Sequence, residues 1–172
     1  AIGSDVKGWG PTQLNQKLDQ LNRIIMQLNN GNGPDILGVC EVENAHVLHL
    51  LIQKMGVLNR NYALVHNDSD DRRGIDVAFI YDADLFSVEE ENGEPKVYDH
   101  FVLRRTATRD ILQVNFLTNH SQGQQRLVLI ANHWPSRSGG QYESEGYRQI
   151  AGETLSYFHQ RIREVHGDNT PV

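Results

Sequence analysis

Apolar residues along this 172-residue chain follow two spacings in turn. Leu14, Leu18, Leu21, Ile24, Ile25 and Leu28 recur at three- and four-residue steps among polar neighbours. That period predicts an amphipathic helix. Pro11 suits its first turn, with Thr12 nearby as a cap, and the Asn30–Gly31 pair marks its end before a turn reaching Pro34. Residues 36–42 read as a short strand broken near its carboxyl end by Glu41. Asn44 stands where it can cap a second helix with Ala45, Leu48, Leu51, Ile52 and Met55 on one face. Residues 62–66 and 77–81 read as strands on either side of a charged loop. Asn92 and Gly93, in an acidic turn, predict a hairpin between strands near 86–88 and 96–98. Residues 111–117 alternate polar and apolar, the pattern of a half-buried strand. Leu127, Val128, Leu129, Ile130 and Ala131 are apolar throughout and predict a strand buried on both faces. Tyr147, Ile150, Ala151, Leu155, Phe158 and Ile162 mark a long final helix. Its acidic start (Glu143, Glu145) and basic end (Arg161, Arg163) suit the helix dipole.

Composition narrows the class only a little. With 38% hydrophobic and 22% charged residues, the chain is expected to form a single domain with a real core. No apolar run approaches the roughly 18–20 residues that cross a bilayer, so no membrane span is expected. The first residue is Ala, as expected of a processed start or a fragment. The lone Cys40 excludes an internal disulfide and an all-cysteine metal site; its apolar run predicts an inert core thiol. A net charge of −6 argues against a dedicated nucleic-acid binder, though not against an enzyme with a local basic track such as Arg72–Arg73 or Arg104–Arg105. The eight histidines show no zinc-ligand spacing, and most are expected at the surface. The compartment stays open.

Three places carry candidate chemistry. Glu41 ends an apolar strand, where a carboxylate is costly unless it is paired or holds a cation. Mg²⁺ needs only one or two such carboxylates. Asn132 and His133 follow the strand that ends at Ala131, where Pro135 and Gly139–Gly140 open a loop. Together with Arg137 they offer an amide, an imidazole and a guanidinium, all able to hydrogen-bond phosphate oxygens. Arg109 lies at the amino end of the next strand back, and Arg73 in the charged loop.

Four stretches, 35–44, 72–82, 108–114 and 132–140, resemble in order and spacing the endonuclease/exonuclease/phosphatase superfamily. The resemblance implies an α/β (α+β) fold, the deoxyribonuclease-I-like four-layer α/β/β/α sandwich, over a single partial domain of residues 1–172. It implies a phosphoesterase dependent on Mg²⁺ or Mn²⁺, a nuclease or general phosphodiesterase, acting by in-line attack of water. Glu41 would be the metal ligand, His133, Arg109 and Asn132 catalytic groups, and Arg73 and Arg137 substrate contacts. The partner would be a phosphate ester, with nucleic acid among the candidates. A sphingomyelinase or phosphomonoesterase type of hydrolase, or a non-catalytic scaffold keeping the fold, is the alternative. The family's first strand and its late Gly-Asp-Phe-Asn and Asp-His stretches have no counterpart here. The chain is therefore expected to be an incomplete domain, inactive alone.

Overall fold

The computed structural model describes residues 9–69, 74–103, 110–120, 123–137 and 140–172. The first helix, α1 (Pro11–Ile25), begins as expected at its proline. Thr12 is not its cap: Gly10 holds that position, and the Gln13 side chain accepts the Gly10 N–H at 3.1 Å. The helix ends earlier than its apolar period predicts. Asn29 and Asn30 take left-handed backbone angles, φ 52° and 55°, which asparagine tolerates better than most residues. The buried stripe is also narrower than the pattern implies. Leu18 and Ile25, two turns apart, are buried, while Leu21, Ile24 and Leu28 are exposed.

The next elements match their patterns. Strand β1 (Ile36–Val42) leads into α2 (Ala45–Lys54), and Asn44 Oδ1 accepts the Val47 N–H at 3.0 Å as its cap. Strands β2 (Tyr62–His66) and β3 (Asp76–Asp82) follow. The three strands form an antiparallel sheet in the order β1-β3-β2. Because side chains alternate along a strand, β3 serves two cores. Ala78 and Ile80 pack with Leu18, Leu48, Leu51 and Met55 beneath the two helices. Val77 and Phe79 pack on the opposite side with Leu112, Val114 and Phe116 of the second sheet.

The second sheet forms around β8 (Ile111–Thr118), which pairs antiparallel with β4 (Phe86–Val88), β7 (Val97–His100) and β9 (Arg126–Ala131). This corrects the expected hairpin. The Asn92–Gly93 turn exists, but it joins only the short strands β5 (Glu90–Glu91) and β6 (Glu94–Pro95). The flanking strands pair with β8 instead, because Val114 and Phe116 there supply the apolar contacts that the acidic arms lack. The Phe116 ring meets Phe79, Tyr81 and Phe86 edge-on at centroid distances of 6.0, 5.1 and 6.4 Å.

Two strand readings are reversed by packing. Strand β8 is buried on both faces from Ile111 to Phe116, not half-buried. Its polar residues Gln113 and Asn115 lie under the last helix, α3 (Glu145–His166), and are joined in a directed chain. His100 Nε2–H donates to Gln113 Oε1 at 2.7 Å, and Gln113 Nε2–H to Asn115 Oδ1 at 2.9 Å. Asn115 Nδ2–H then donates to Glu89 Oε2 and faces His166 Nε2, both at 3.4 Å. Conversely β9, expected to be buried on both faces, has only Val128 fully buried; among the described strands it pairs with β8 alone.

Helices α1 and α2, the two sheets and α3 thus stack as the four layers of an α/β/β/α sandwich of deoxyribonuclease-I type. Cys40, expected in the core, is exposed: it shares the β1 face of Ile36 and Gly38 but lies beyond the core between the sheets. His66 is an exception among the histidines, most of which are expected at the surface: its side chain is 4% exposed.

Candidate active site

Glu41 is placed by a bulge. In β1, Cys40 faces Val77 and Val42 faces Asp76, so Glu41 has no partner in β3. It sits at φ 59°, in the left-handed region that costs a non-glycine residue roughly 1 kcal/mol. The extra residue lets Val42 return to the core, while the Glu41 carboxylate turns outward with 62% exposure. The strained backbone therefore aims one hard oxygen ligand at the rim where the two sheets end together.

His133 reaches the same rim from the other sheet. It stands two residues beyond β9, whose end is fixed by the pairing of Ala131 with Leu112. Its imidazole is 24% exposed, and Nε2 lies 3.8 Å from Glu41 Oε1. A carboxylate and an imidazole distant in sequence are thus neighbours at one edge of the sandwich. The other expected residues do not all join them. Asn132 is exposed, with its amide nitrogen turned back to 3.5 Å from the Ile130 carbonyl. Arg137 is exposed further along the loop, its carbonyl accepting the Gly140 N–H at 3.0 Å. Arg73 and Arg109 lie outside the described residues.

One cluster beside the rim escaped the sequence reading. Asp76, opposite Val42 at the start of β3, is 4% exposed. Its Oδ1 accepts the Ser69 N–H at 3.0 Å and the Ser69 hydroxyl at 2.5 Å, and its Oδ2 meets His66 Nε2 at 3.2 Å. Asp68 Oδ1 lies 3.9 Å from the other ring nitrogen, His66 Nδ1. The three residues present ligand atoms within 4.8 Å of one another. The carboxylates, however, flank opposite nitrogens of one ring. An ion at Nδ1 would leave Asp76 as the group that orients His66 rather than as a ligand. Asp76 is accordingly a buried carboxylate satisfied by three donors, tying the loop after β2 to the strand beside Glu41. Its sequence signal was only a histidine ending one strand and an aspartate beginning the next.

The fold and rim can be set against known proteins. No curated protein matches the chain. Two of the solved structures similar to it bear on the fold. One is an endonuclease/exonuclease/phosphatase family protein from Bacteroides thetaiotaomicron, with TM-score 0.56, 13% identity, and coverage of 91% of this chain and 52% of that one. The other is truncated Caenorhabditis elegans TDP2, with TM-score 0.52, 18% identity, and coverage of 95% and 54%. At these identities the likeness speaks for the fold, and the chain spans about half the length of either structure. The sequence model of the Endonuclease/Exonuclease/phosphatase family matches residues 2–169, nearly the whole chain. The chain belongs to the endonuclease/exonuclease/phosphatase family.

Proposed function

We propose that this chain is the Glu41- and His133-bearing part of a divalent-metal-dependent phosphoesterase that hydrolyses a phosphodiester by in-line attack of water. The observation that carries the reading is the meeting of Glu41 and His133, one from each sheet, 3.8 Å apart at a shared rim. Glu41 suits Mg²⁺ or Mn²⁺: it is a hard oxygen donor, exposed enough to leave room for water and substrate oxygens. Such an ion, when bound, stabilises charge on the phosphoryl oxygens and the leaving group. His133 directs a hydrogen bond at a phosphoryl oxygen and stabilises the charge that grows there. Asn132 and Arg109 are proposed as further polar contacts to the reacting phosphate, and Arg73 and Arg137 as contacts to the rest of the substrate. A net charge of −6 gives no broad attraction to a polyanion, so recognition would rest on these local cations.

The test is hydrolysis of bis(p-nitrophenyl) phosphate and a short DNA duplex with Mg²⁺ or Mn²⁺, by this chain and by any longer natural product that contains it. A chelator should abolish turnover. Glu41→Gln should raise the metal concentration needed for half-activity, and His133→Ala should lower kcat by about 10²–10³-fold. Undiminished turnover by folded Glu41→Gln in chelator would sink the proposal. A steep fall of DNA affinity with salt would favour a nuclease over other phosphodiesterases.

A further inference from the structure

The segment that follows His133 is held by two residues that the catalytic reading does not use. Ser144 stands at the start of α3, where a serine ordinarily accepts hydrogen bonds from the first helical amides. Here its hydroxyl makes no such cap. It donates instead to the Gly140 carbonyl at 2.6 Å, and the Ser144 N–H reaches the same oxygen at 3.3 Å. The remaining side of the hydroxyl accepts Arg148 Nη1–H. The other arm of that guanidinium, Nη2–H, donates to the Gln141 carbonyl at 3.1 Å. Gly140 in turn donates its N–H to the Arg137 carbonyl at 3.0 Å. A continuous path of hydrogen bonds therefore runs from Arg148 through Ser144 and Gly140 to Arg137. Glycine suits the start of the turn because Gly140 has φ 113°, a conformation that other residues rarely adopt.

We infer that Arg148 and Ser144 are positioning residues of the candidate site, locking the turn from Gly140 to Ser144 and so fixing Arg137 relative to His133. The inference rests on the phosphoesterase reading above. His133 is set from one side by the end of β9; Arg137 is set from the other by this clamp. Arg137 is exposed on the loop that His133 opens, and the phosphoesterase reading gives it a contact to the rest of the substrate. Losing the clamp should weaken substrate binding more than the chemical step. A planar guanidinium reaches two acceptors at once, whereas a single ammonium is a point donor, so lysine is not an equivalent.

Two readouts test it with Arg148→Ala, Arg148→Lys and Ser144→Ala. The first is independent of activity: limited trypsinolysis followed by mass spectrometry at the bond after Arg137. Loosening the turn should speed that cut about tenfold in all three variants, with helix content unchanged. The second is steady-state kinetics on bis(p-nitrophenyl) phosphate. KM should rise about five- to tenfold with kcat within about twofold of wild type, and lysine should not restore it. Guanidinium ion at low millimolar concentration should recover part of the KM in Arg148→Ala. An unchanged rate of cutting after Arg137, or a fall in kcat at constant KM, overturns the inference. Failure of the wild type to turn over, both as this chain and within any longer natural product that contains it, while the cut is faster in the variants, overturns the phosphoesterase reading and not the clamp.

Discussion

Glu89 offers a sharp test of how the second sheet is held together. Its carboxylate accepts Arg126 Nε–H at 2.9 Å and Nη2–H at 2.7 Å, a two-pronged pair, with Asn115 Nδ2 at 3.4 Å and Lys96 Nζ at 3.6 Å. It is 12% exposed, so water screens the pair only in part. The bonds from Arg126, working against the cost of burial, hold its pKa at about 2 in place of the ordinary 4.5. At 1.36 kcal/mol per decade, that difference corresponds to about 3 kcal/mol of folding stability. Because the folded pKa is the lower one, the contribution is complete above about pH 4.5 and is lost as pH falls towards 2. By pH 3, about 2 kcal/mol of it should be gone. Glu89→Gln keeps the size of the side chain and removes the charge. Urea unfolding of wild type and variant at pH 6.5, 4.5 and 3 measures the effect. The variant should be about 3 kcal/mol less stable at pH 6.5, and the gap should shrink to about 1 kcal/mol at pH 3. A gap independent of pH would refute the assignment of this stability to the ionised carboxylate.

Two further outcomes follow from the same sheet and the helix that covers it. Phe116→Ala removes a fully buried ring that three aromatic neighbours surround edge-on, and should cost about 3–5 kcal/mol in urea unfolding. Burial pushes the His166 pKa below its ordinary 6.5, Arg126 and Lys96 act in the same direction, and Glu89 opposes them. A histidine lowered in the folded state is neutral where the unfolded chain already takes a proton, so its stability contribution is lost as pH falls below 6.5. His166→Gln should therefore flatten the decline of the urea midpoint between pH 7.5 and 5.5; an unchanged slope would count against it.

Much of the architecture is legible in the chain itself. The cap at Asn44, the strands ending at Val42 and His66, and the final helix with its Ala151 and Ile162 stripe follow from periods of two and 3.6 residues and from local cap chemistry. These features depend on near neighbours, and near neighbours are what a sequence displays directly. The readings that failed depend on what lies above or beside an element. Gln113 and Asn115 alternate with apolar residues as solvent-facing positions do; α3 covers them, and His100, Glu89 and His166 complete their hydrogen bonds. The strands at 86–88 and 97–100 are visible, but their partner is β8 rather than each other, because strand pairing is settled by the largest apolar surface available.

The candidate site divides the same way. The sequence alone offered Glu41 at the end of an apolar strand and His133 at the start of a loop, each a polar group at a strand terminus. Only the tertiary structure decided that they face one another. The bulge at Glu41 turns its carboxylate outward, and the stacking of the two sheets through Phe79, Val114 and Phe116 brings the ends of β1 and β9 to one rim. The clamp of Arg148 on Ser144 and Gln141 was invisible for the same reason. Residue types and spacing determine which local conformations are cheap; which of their polar ends converge is fixed by the burial of apolar faces between layers.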